Sequence, residues 1–189
     1  VVVEDAVNCG GATRVQVADC RTALARLSAR FYDFPSQHML NIGITGTNGK
    51  TTTAFLLRSI LEAAGLSCGY VGTLGCWIDG ELQQVGNTTP EAAELHRLLR
   101  LMVDRGKRAV VLEVSSHGLA LKRVEGIPFH AAVFSNLTRD HLDFHGTWEQ
   151  YFAAKAQLFE NMPEDGVAVV NLDDPMAAKL IRRTRARGL

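Results

Sequence analysis

Residues 42–52 read Ile42-Gly43-Ile44-Thr45-Gly46-Thr47-Asn48-Gly49-Lys50-Thr51-Thr52. The short apolar run at the start predicts a buried strand, and the continuation after Lys50 predicts a helix. The small residues between them allow backbone N–H groups to approach an anion, and the N-terminus of the helix adds positive potential. This stretch therefore predicts a phosphate-binding loop that joins a strand to a helix.

The loop is a variant of the strict pattern G-x-x-x-x-G-K-[ST], because Ile44 stands where that pattern has glycine. Strand, loop, Gly-Lys-Thr and helix nevertheless follow one another in the required order. We therefore expect Lys50 to reach the terminal phosphates of a nucleotide and the Thr51 hydroxyl to hold Mg²⁺. The alternative is a glycine turn with an exposed lysine.

Strands and helices alternate outward from this loop. Apolar runs predict strands over 42–45, 68–72, 109–114, 131–135 and 167–171. Periodic segments predict helices over 50–64, 90–105, 147–161 and 175–185. We expect Gly65 to follow the end of the first helix, and Thr89 to cap the second with Pro90 at its first position. The alternation predicts an α/β fold with a doubly wound, mostly parallel sheet of P-loop type.

Residues 1–40 are predicted to be a separate unit. Two short apolar runs, at 1–3 and 15–17, are interpreted as strand remnants, and Asp19 can cap a helix through Ala23, Leu24, Leu27 and Phe31. Residues 35–38 are predicted to be a linker. Since the chain has no starting Met and no basic leader, we expect a piece of a longer protein. The composition shifts at residue 41, so we predict a boundary between residues 1–40 and residues 41–189.

Composition excludes several classes of protein. Hydrophobic residues make up 47% and charged residues 21%, which suits a packed core rather than a disordered chain. The formal net charge of +0 argues against a general nucleic-acid or anionic-membrane binder. No uncharged apolar run is long enough to cross a bilayer. The four cysteines form no C-x-x-C pair, so we interpret them as reduced thiols in a cytoplasmic protein.

Polar residues follow the other predicted strands, at the edge where parallel α/β sheets bind ligands. Glu113 ends the third strand, where P-loop proteins place a carboxylate that holds Mg²⁺. Three further clusters are N-T-T-P at 87–90, S-S-H-G-L at 115–119 and N-L-T-R-D-H-L-D-F-H-G at 136–146. Together these clusters supply a carboxylate, imidazoles and small hydrogen-bonding groups.

The motifs G-T-N-G-K-T-T, N-T-T-P-E, E-V-S-S-H-G-L and N-L-T-R-D-H-L-D-F-H-G, in this order, resemble those of the Mur ligases. The last two are similar to the UDP-N-acetylmuramoyl-tripeptide synthetase (MurE) branch of that family. The related folylpolyglutamate synthetases usually continue the loop as G-K-G-S, which this chain does not. The resemblance spans roughly residues 19–174.

This resemblance implies an ATP-dependent amide ligase of bacterial peptidoglycan synthesis. In that family ATP phosphorylates the carboxylate of UDP-N-acetylmuramoyl-L-alanyl-D-glutamate, and the amino group of a diamino acid, meso-diaminopimelate or L-lysine, attacks the acyl phosphate. By this resemblance, residues 1–40 would be the remnant of an N-terminal α/β domain that binds UDP, together with a linker. Residues 41–189 would be part of the central ATP-binding domain. We expect a cytoplasmic monomer without nucleic-acid or membrane partners, and a fragment that is inactive alone.

The resemblance also implies roles for single residues. The ATP phosphates would be held by Gly46, Thr47, Asn48, Gly49, Lys50, Thr51 and Thr52. Mg²⁺ would be held by Thr51, Glu113 and His141. The UDP-muramyl peptide would contact Asn87, Thr88, Thr89, Ser115 and Arg123. The chain departs from the family at Leu121, where some members contact the substrate through Gln.

Lys155 is predicted to lie on the apolar face of its helix, four residues after Tyr151 and four before Phe159. An unpaired ammonium is costly there, so either the side chain reaches the helix edge or burial lowers its pKa. A neutral amine reacts with CO₂ to give a carbamate. The resemblance supports this second alternative, since the family carries a carbamylated lysine in an A-A-K segment that matches Ala153-Ala154-Lys155. The carbamate would help to hold a second Mg²⁺ and would make Lys155 a catalytic residue beside Lys50, Glu113 and His141.

Other interpretations stay open. His141 and His145, four residues apart, could be a surface pair or half of a zinc site. Ser115-Ser116-His117 suggests a hydrolase but lacks the G-x-S-x-G elbow. The basic residues at 182–187 are interpreted as a solvated helix end, with nucleic-acid binding as the alternative. A P-loop ATPase of another class would leave 87–89 and 140–146 unexplained, and a UDP-sugar-binding module would not need Lys50, Thr51 and Glu113 together.

Overall fold

The computed structural model describes residues 1–5, 7–8 and 10–188, which form ten strands and seven α-helices. The strands are β1 Val2–Val3, β2 Val15–Gln16, β3 Leu40–Thr45, β4 Cys68–Gly72, β5 Gly75–Ile78, β6 Glu81–Gln83, β7 Ala109–Glu113, β8 Ala131–Phe134, β9 Val167–Val170 and β10 Arg187–Gly188. The helices are α1 Cys20–Phe31, α2 Lys50–Ala63, α3 Ala92–Asp104, α4 Ser116–Ala120, α5 Leu142–His145, α6 Trp148–Glu160 and α7 Ala177–Ile181, with a 3-10 helix at Pro35–His38.

One eight-stranded sheet, in the order β10-β9-β8-β3-β7-β4-β5-β6, forms the frame of the described residues. Every neighbouring pair from β10 to β4 is parallel, and β5 and β6 add an antiparallel edge. The sheet confirms the predicted α/β class and its mostly parallel order. β3 lies between β7 and β8, so the loop that follows β3 opens between two other strand ends.

Two apolar clusters cover the two faces of the sheet, because successive residues of a strand point to opposite sides. On β7, Val111 belongs to the cluster that packs against α2, and Val110 belongs to the larger cluster that includes residues of α3 and α6. β7 is buried at each of its residues. A strand covered on both faces reads as a continuous apolar run, which is why the strands were predictable.

The five predicted strands and the first three predicted helices are confirmed within one or two residues at each end. Gly65 adopts a φ of 78°, and the N–H of Leu66 donates to the Leu61 carbonyl at 2.9 Å, so the expected helix end is confirmed. The fourth helix is wrong in length, since α7 covers only Ala177–Ile181. The β5–β6 hairpin was not predicted.

Thr89 does not cap α3, contrary to expectation. The helix begins at Ala92, with Glu91 at the capping position. The Thr89 hydroxyl instead donates to the Glu113 carbonyl and accepts from the Ser115 N–H, each at 2.9 Å. Thr89 therefore fixes the segment before α3 to the carboxyl end of β7.

A 3-10 helix connects the N-terminal residues to β3. Asp19 caps α1 as predicted, accepting from the Thr22 N–H at 2.5 Å. Residues 35–38 form a 3-10 helix, and the Ser36 carbonyl accepts from the Asn41 side chain at 2.7 Å. That these residues link two domains stays a prediction. β1 and β2 pair in parallel. The domain boundary at residue 40 stays a prediction.

Cys20, Cys68 and Cys76 are free thiols, and Cys9 lies outside the described residues. Among the helices that the structure describes, none has the length and apolar character to cross a membrane.

Candidate active site

The phosphate-binding loop lies at the carboxyl end of β3 and requires glycine at two positions. Gly46 has a φ of 146° and Gly49, at the capping position of α2, has a φ of 84°. An L side chain is strained in this region. A Cβ at Gly46 would also collide with the Ser135 hydroxyl. The two glycines therefore define the shape of the loop.

Lys50 folds back over the loop. Its ammonium donates to the carbonyls of Gly46 and Thr47, each at 2.9 Å. The side chain is partly buried, and burial lowers the pKa of Lys50, whereas Glu113 and Asp140 act against this shift. Lys50 therefore differs from the exposed lysine of a simple glycine turn, which was the alternative interpretation of this sequence.

Lys155 is buried beneath the same loop. Its ammonium donates to the Gly46 carbonyl at 2.9 Å and lies 4.8 Å from the centre of the Tyr151 ring. The side chain is 2% exposed, so it does not reach the helix edge. Burial lowers the pKa of Lys155 to about 7, and repulsion by Lys50 adds to this shift. The neutral amine is therefore well populated at neutral pH.

Glu113 is 1% exposed, and its carboxylate is held by two side chains. The Tyr70 hydroxyl donates to one oxygen, and the Thr73 hydroxyl donates to the other at 3.0 Å. Burial and the bond to Glu113 raise the pKa of Tyr70, and a hydrogen bond from Thr51 acts against this shift. Thr51 is therefore near the same hydroxyl that donates to Glu113. Their hydroxyl and carboxylate oxygens are donors that suit Mg²⁺.

A polar network extends from Glu113 through the predicted substrate residues. The Thr73 and Thr88 hydroxyls are 3.1 Å apart, and those of Thr89 and Ser115 are 3.0 Å apart. Ser115 also caps α4, so its hydroxyl accepts a backbone N–H instead of serving a hydrolase triad.

Arg123 completes this network. One nitrogen of its guanidinium donates to the Thr89 carbonyl at 3.0 Å, and another lies 2.5 Å from the Glu91 carboxylate. The guanidinium is thus held in place beside the threonines. Asn87 is exposed next to the network.

His141 lies in a cluster of aromatic rings. Its ring is 4.8 Å from that of His117 and 6.3 Å from that of Tyr151, and its Nε2 is 3.3 Å from Asp140. Burial lowers the pKa of His117 and of His145, and repulsion by the neighbouring histidines lowers both values further. Across residues 1–5, 7–8 and 10–188, no three His, Cys, Asp or Glu side chains are grouped so that they could hold a metal ion. The interpretation of His141 and His145 as half of a zinc site is therefore not supported. Magnesium binding by His141 stays a prediction.

The structure adds residues that the sequence analysis did not select. Tyr70 holds Glu113, the Tyr151 hydroxyl lies 3.0 Å from that of Thr47, and Asn136 is bonded to the loop at Asn48. Tyr70 and Tyr151 each carry a polar hydroxyl within an otherwise apolar segment. This feature of the sequence could have indicated that each hydroxyl has a hydrogen-bond partner inside the fold.

The chain is similar over its whole length to proteins with one shared name. It is 46% identical over 189 residues to the UDP-N-acetylmuramoyl-L-alanyl-D-glutamate–2,6-diaminopimelate ligase of Clostridium perfringens, covering 100% of this chain and 38% of that protein. It is 52% identical over 171 residues to the ligase of that name from Chlorobaculum tepidum, covering 90% of this chain and 34% of the relative. The chain thus spans less than two fifths of the length of these relatives.

Solved structures agree with this similarity. A structure of a UDP-N-acetylmuramoyl-L-alanyl-D-glutamate–2,6-diaminopimelate ligase superposes with a TM-score of 0.83 at 34% identity, covering 100% of this chain and 39% of the other. A Mycobacterium tuberculosis folylpolyglutamate synthase complexed with ADP and AMPPCP shares the fold, with a TM-score of 0.71 at 17% identity over 89% of this chain and 46% of the other. The sequence profile of the Mur ligase middle domain matches residues 44–189. This chain therefore belongs to the Mur ligase family, of which it carries the middle domain.

Proposed function

We propose that this chain is the ATP-binding part of a cytoplasmic ligase that joins 2,6-diaminopimelate to UDP-N-acetylmuramoyl-L-alanyl-D-glutamate in peptidoglycan synthesis. The relatives carry the name of this reaction. The observation that carries the proposal is the meeting of Lys50 and Lys155 on the Gly46 carbonyl, next to the residues that hold Glu113. Two lysines and a buried acid beside a glycine loop suit phosphoryl transfer.

In this proposal the nucleotide binds at the N-terminus of α2. Gly46–Thr52 surround the phosphates, and Lys50 exchanges its bonds to loop carbonyls for bonds to phosphate oxygens. Thr51 and Glu113 hold Mg²⁺ with His141, and Tyr70 and Thr73 keep the carboxylate of Glu113 in place. The metal, when bound, neutralises charge on the phosphates.

Lys155 acts as a carbamate. The neutral amine attacks the carbon of CO₂, an N–C bond forms, and one N–H proton leaves to solvent. The depressed pKa of Lys155 supplies the neutral amine. The product replaces a buried cation by an anion able to help hold a second Mg²⁺.

The substrate peptide lies against Asn87, Thr88, Thr89, Ser115 and Arg123. Arg123 and the hydroxyls orient the UDP-muramyl dipeptide so that its carboxylate meets the terminal phosphate of ATP. An acyl phosphate forms, ADP leaves, and the amino group of the diamino acid displaces phosphate to form the amide. Positioning and charge neutralisation account for the rate gain in this scheme.

Calorimetry of Mg·ATP on the chain and on Lys50→Ala tests the nucleotide site, and we expect affinity to fall about tenfold or more without a cation at the phosphates. Equal affinities would contradict it. The ligation is tested in a chimera in which this chain replaces the matching residues of the Clostridium perfringens relative.

Phosphate release by the chimera should require both UDP-muramyl dipeptide and diaminopimelate, with L-lysine as the alternative amino donor. ATP hydrolysis that ignores the dipeptide would instead indicate a P-loop ATPase of another class.

A further inference from the structure

One side chain holds the backbone of the phosphate-binding loop at two points. The Asn48 N–H donates to Oδ1 of Asn136 at 3.0 Å, and Nδ2 of Asn136 donates to the Asn48 carbonyl at 3.0 Å. A single amide thus satisfies both polar groups of one loop residue. We name this pair of bonds between Asn136 and Asn48 the asparagine clamp.

The residues around the clamp bind the same part of the loop. The Thr47 N–H donates to the Asn136 carbonyl at 2.9 Å, and the Ser135 hydroxyl donates to the Asn48 carbonyl at 2.7 Å. The Thr47 hydroxyl accepts from the Thr138 N–H at 3.0 Å. The first half of the loop is therefore bound along its length to the segment after β8.

This binding divides the N–H groups of the loop into two sets. Those of Thr47 and Asn48 are bonded to Asn136 and do not face an anion. The first N–H groups of α2, from Lys50 onward, lack partners within the helix, as at any helix N-terminus. In the proposed site the N–H groups at the α2 end of the loop therefore face the phosphate, while Thr47 and Asn48 shape the loop around it.

The segment that carries Asn136 is itself anchored. The Leu137 N–H donates to Asp174, which is 8% exposed, at 2.6 Å, and the Asn171 side chain donates to the Ser135 carbonyl at 3.0 Å. Both anchors follow β9 in the chain. The clamp is thus fixed to the frame of the sheet.

We propose that Asn136 is a positioning residue, which sets the phosphate-binding loop in the shape that accepts nucleotide phosphates. This inference rests on the proposed function, because it deepens the role of the same loop. The two bonds that hold Asn48 come from a residue far outside the loop's own sequence.

Amide hydrogen exchange followed by NMR tests the clamp without any ligand. In Asn136→Ala the Asn48 amide should exchange about tenfold faster, as expected for the loss of one ordinary hydrogen bond. The Thr47 amide should keep its protection, because its acceptor is the backbone carbonyl of residue 136. Asn136→Asp keeps an acceptor and should keep the Asn48 amide protected. Unchanged exchange at Asn48 in Asn136→Ala would overturn the clamp, and loss of protection at both amides would show a general loss of structure instead.

Binding of Mg·ATP and of magnesium tripolyphosphate, measured by calorimetry, tests the positioning role. We expect Asn136→Ala to bind both about tenfold more weakly than wild type. The control Asn161→Ala, at an exposed asparagine after α6, should bind as wild type does. Equal affinity of Asn136→Ala and wild type would overturn the positioning role alone. If wild type bound neither probe, the proposed function would fail, while amide exchange would still decide the clamp.

Discussion

Lys155 should make the stability of the fold depend on pH. Its pKa is about 7 in the folded chain against an ordinary value of 10.5, so between these values the unfolded chain binds a proton that the folded chain releases. The free energy of unfolding should therefore rise with pH across this window and fall as the pH drops towards 7. Urea unfolding at pH 7 and at pH 9 measures this change in the free energy of unfolding.

The matched variants for this effect are Lys155→Met and Lys179→Met. Lys155→Met should lose part of the rise because the shifted group is gone, whereas Lys179→Met, at an exposed lysine, should keep it. An identical rise in Lys155→Met and wild type would contradict a depressed pKa at Lys155.

Lys155→Ala should abolish ligation in the chimera while Mg·ATP still binds. The reason is that the proposed carbamate is lost but Lys50 and the loop remain. A small carboxylic acid such as acetate should restore part of the activity by filling the anion site. In wild type, ¹³CO₂ should give a carbamate ¹³C resonance that Lys155→Ala lacks. Full ligation by Lys155→Ala without acetate would show that the role is wrong.

The site could be predicted from sequence only in part. Lys50 and Thr51 follow one strand and Glu113 ends another, in a recognisable order. The place of Lys155 on an apolar helix face was predicted from its spacing, and its role from the resemblance. Asn136 and Tyr70 act on residues that are distant in the chain, Asn48 and Glu113. Only the packing of β8 and β4 beside β3 and β7 reveals such contacts.

At the scale of the element, the end of α2 depends on one backbone conformation. Gly65 has a φ of 78°, and a Cβ there would meet nothing within 4 Å. Gly65→Ala should therefore lower the free energy of unfolding by about 1 kcal/mol through backbone strain alone. Gly86→Ala is the control, since its surroundings are equally open and its φ is not in the left-handed region. Equal unfolding energies for the two variants would argue against strain at Gly65.

Helix ends were predictable where one residue decides them and not where a distant group competes. Gly65 and Asp19 act on their own helices, and both predictions are confirmed. Thr89 has the right chemistry for a cap, but its hydroxyl is used by Glu113 and Ser115. The β5–β6 hairpin was missed because β6 is exposed throughout and has no apolar pattern.

At the scale of the whole molecule, β7 joins the two halves of the sheet. Leu40 of β3 and Cys68 of β4 both pair with Ala109, the first residue of β7. β3 and β4 are not neighbours in the sheet, because β7 lies between them. The buried strands on either side of β7 therefore depend on a segment made much later in the chain.

During synthesis on the ribosome, β3 and β4 are made before β7, so the pairing of both strands with β7 is delayed. β3 leaves the exit tunnel as an apolar strand without a partner, and β4 can pair only with β5, which follows it directly. At about 5–20 residues per second both strands wait several seconds for β7. During that wait they are targets for chaperones and proteases. Ribosome-bound chains of increasing length should become protease-resistant only once Glu113 has cleared the tunnel. Resistance in chains that still lack β7 would contradict this order of folding.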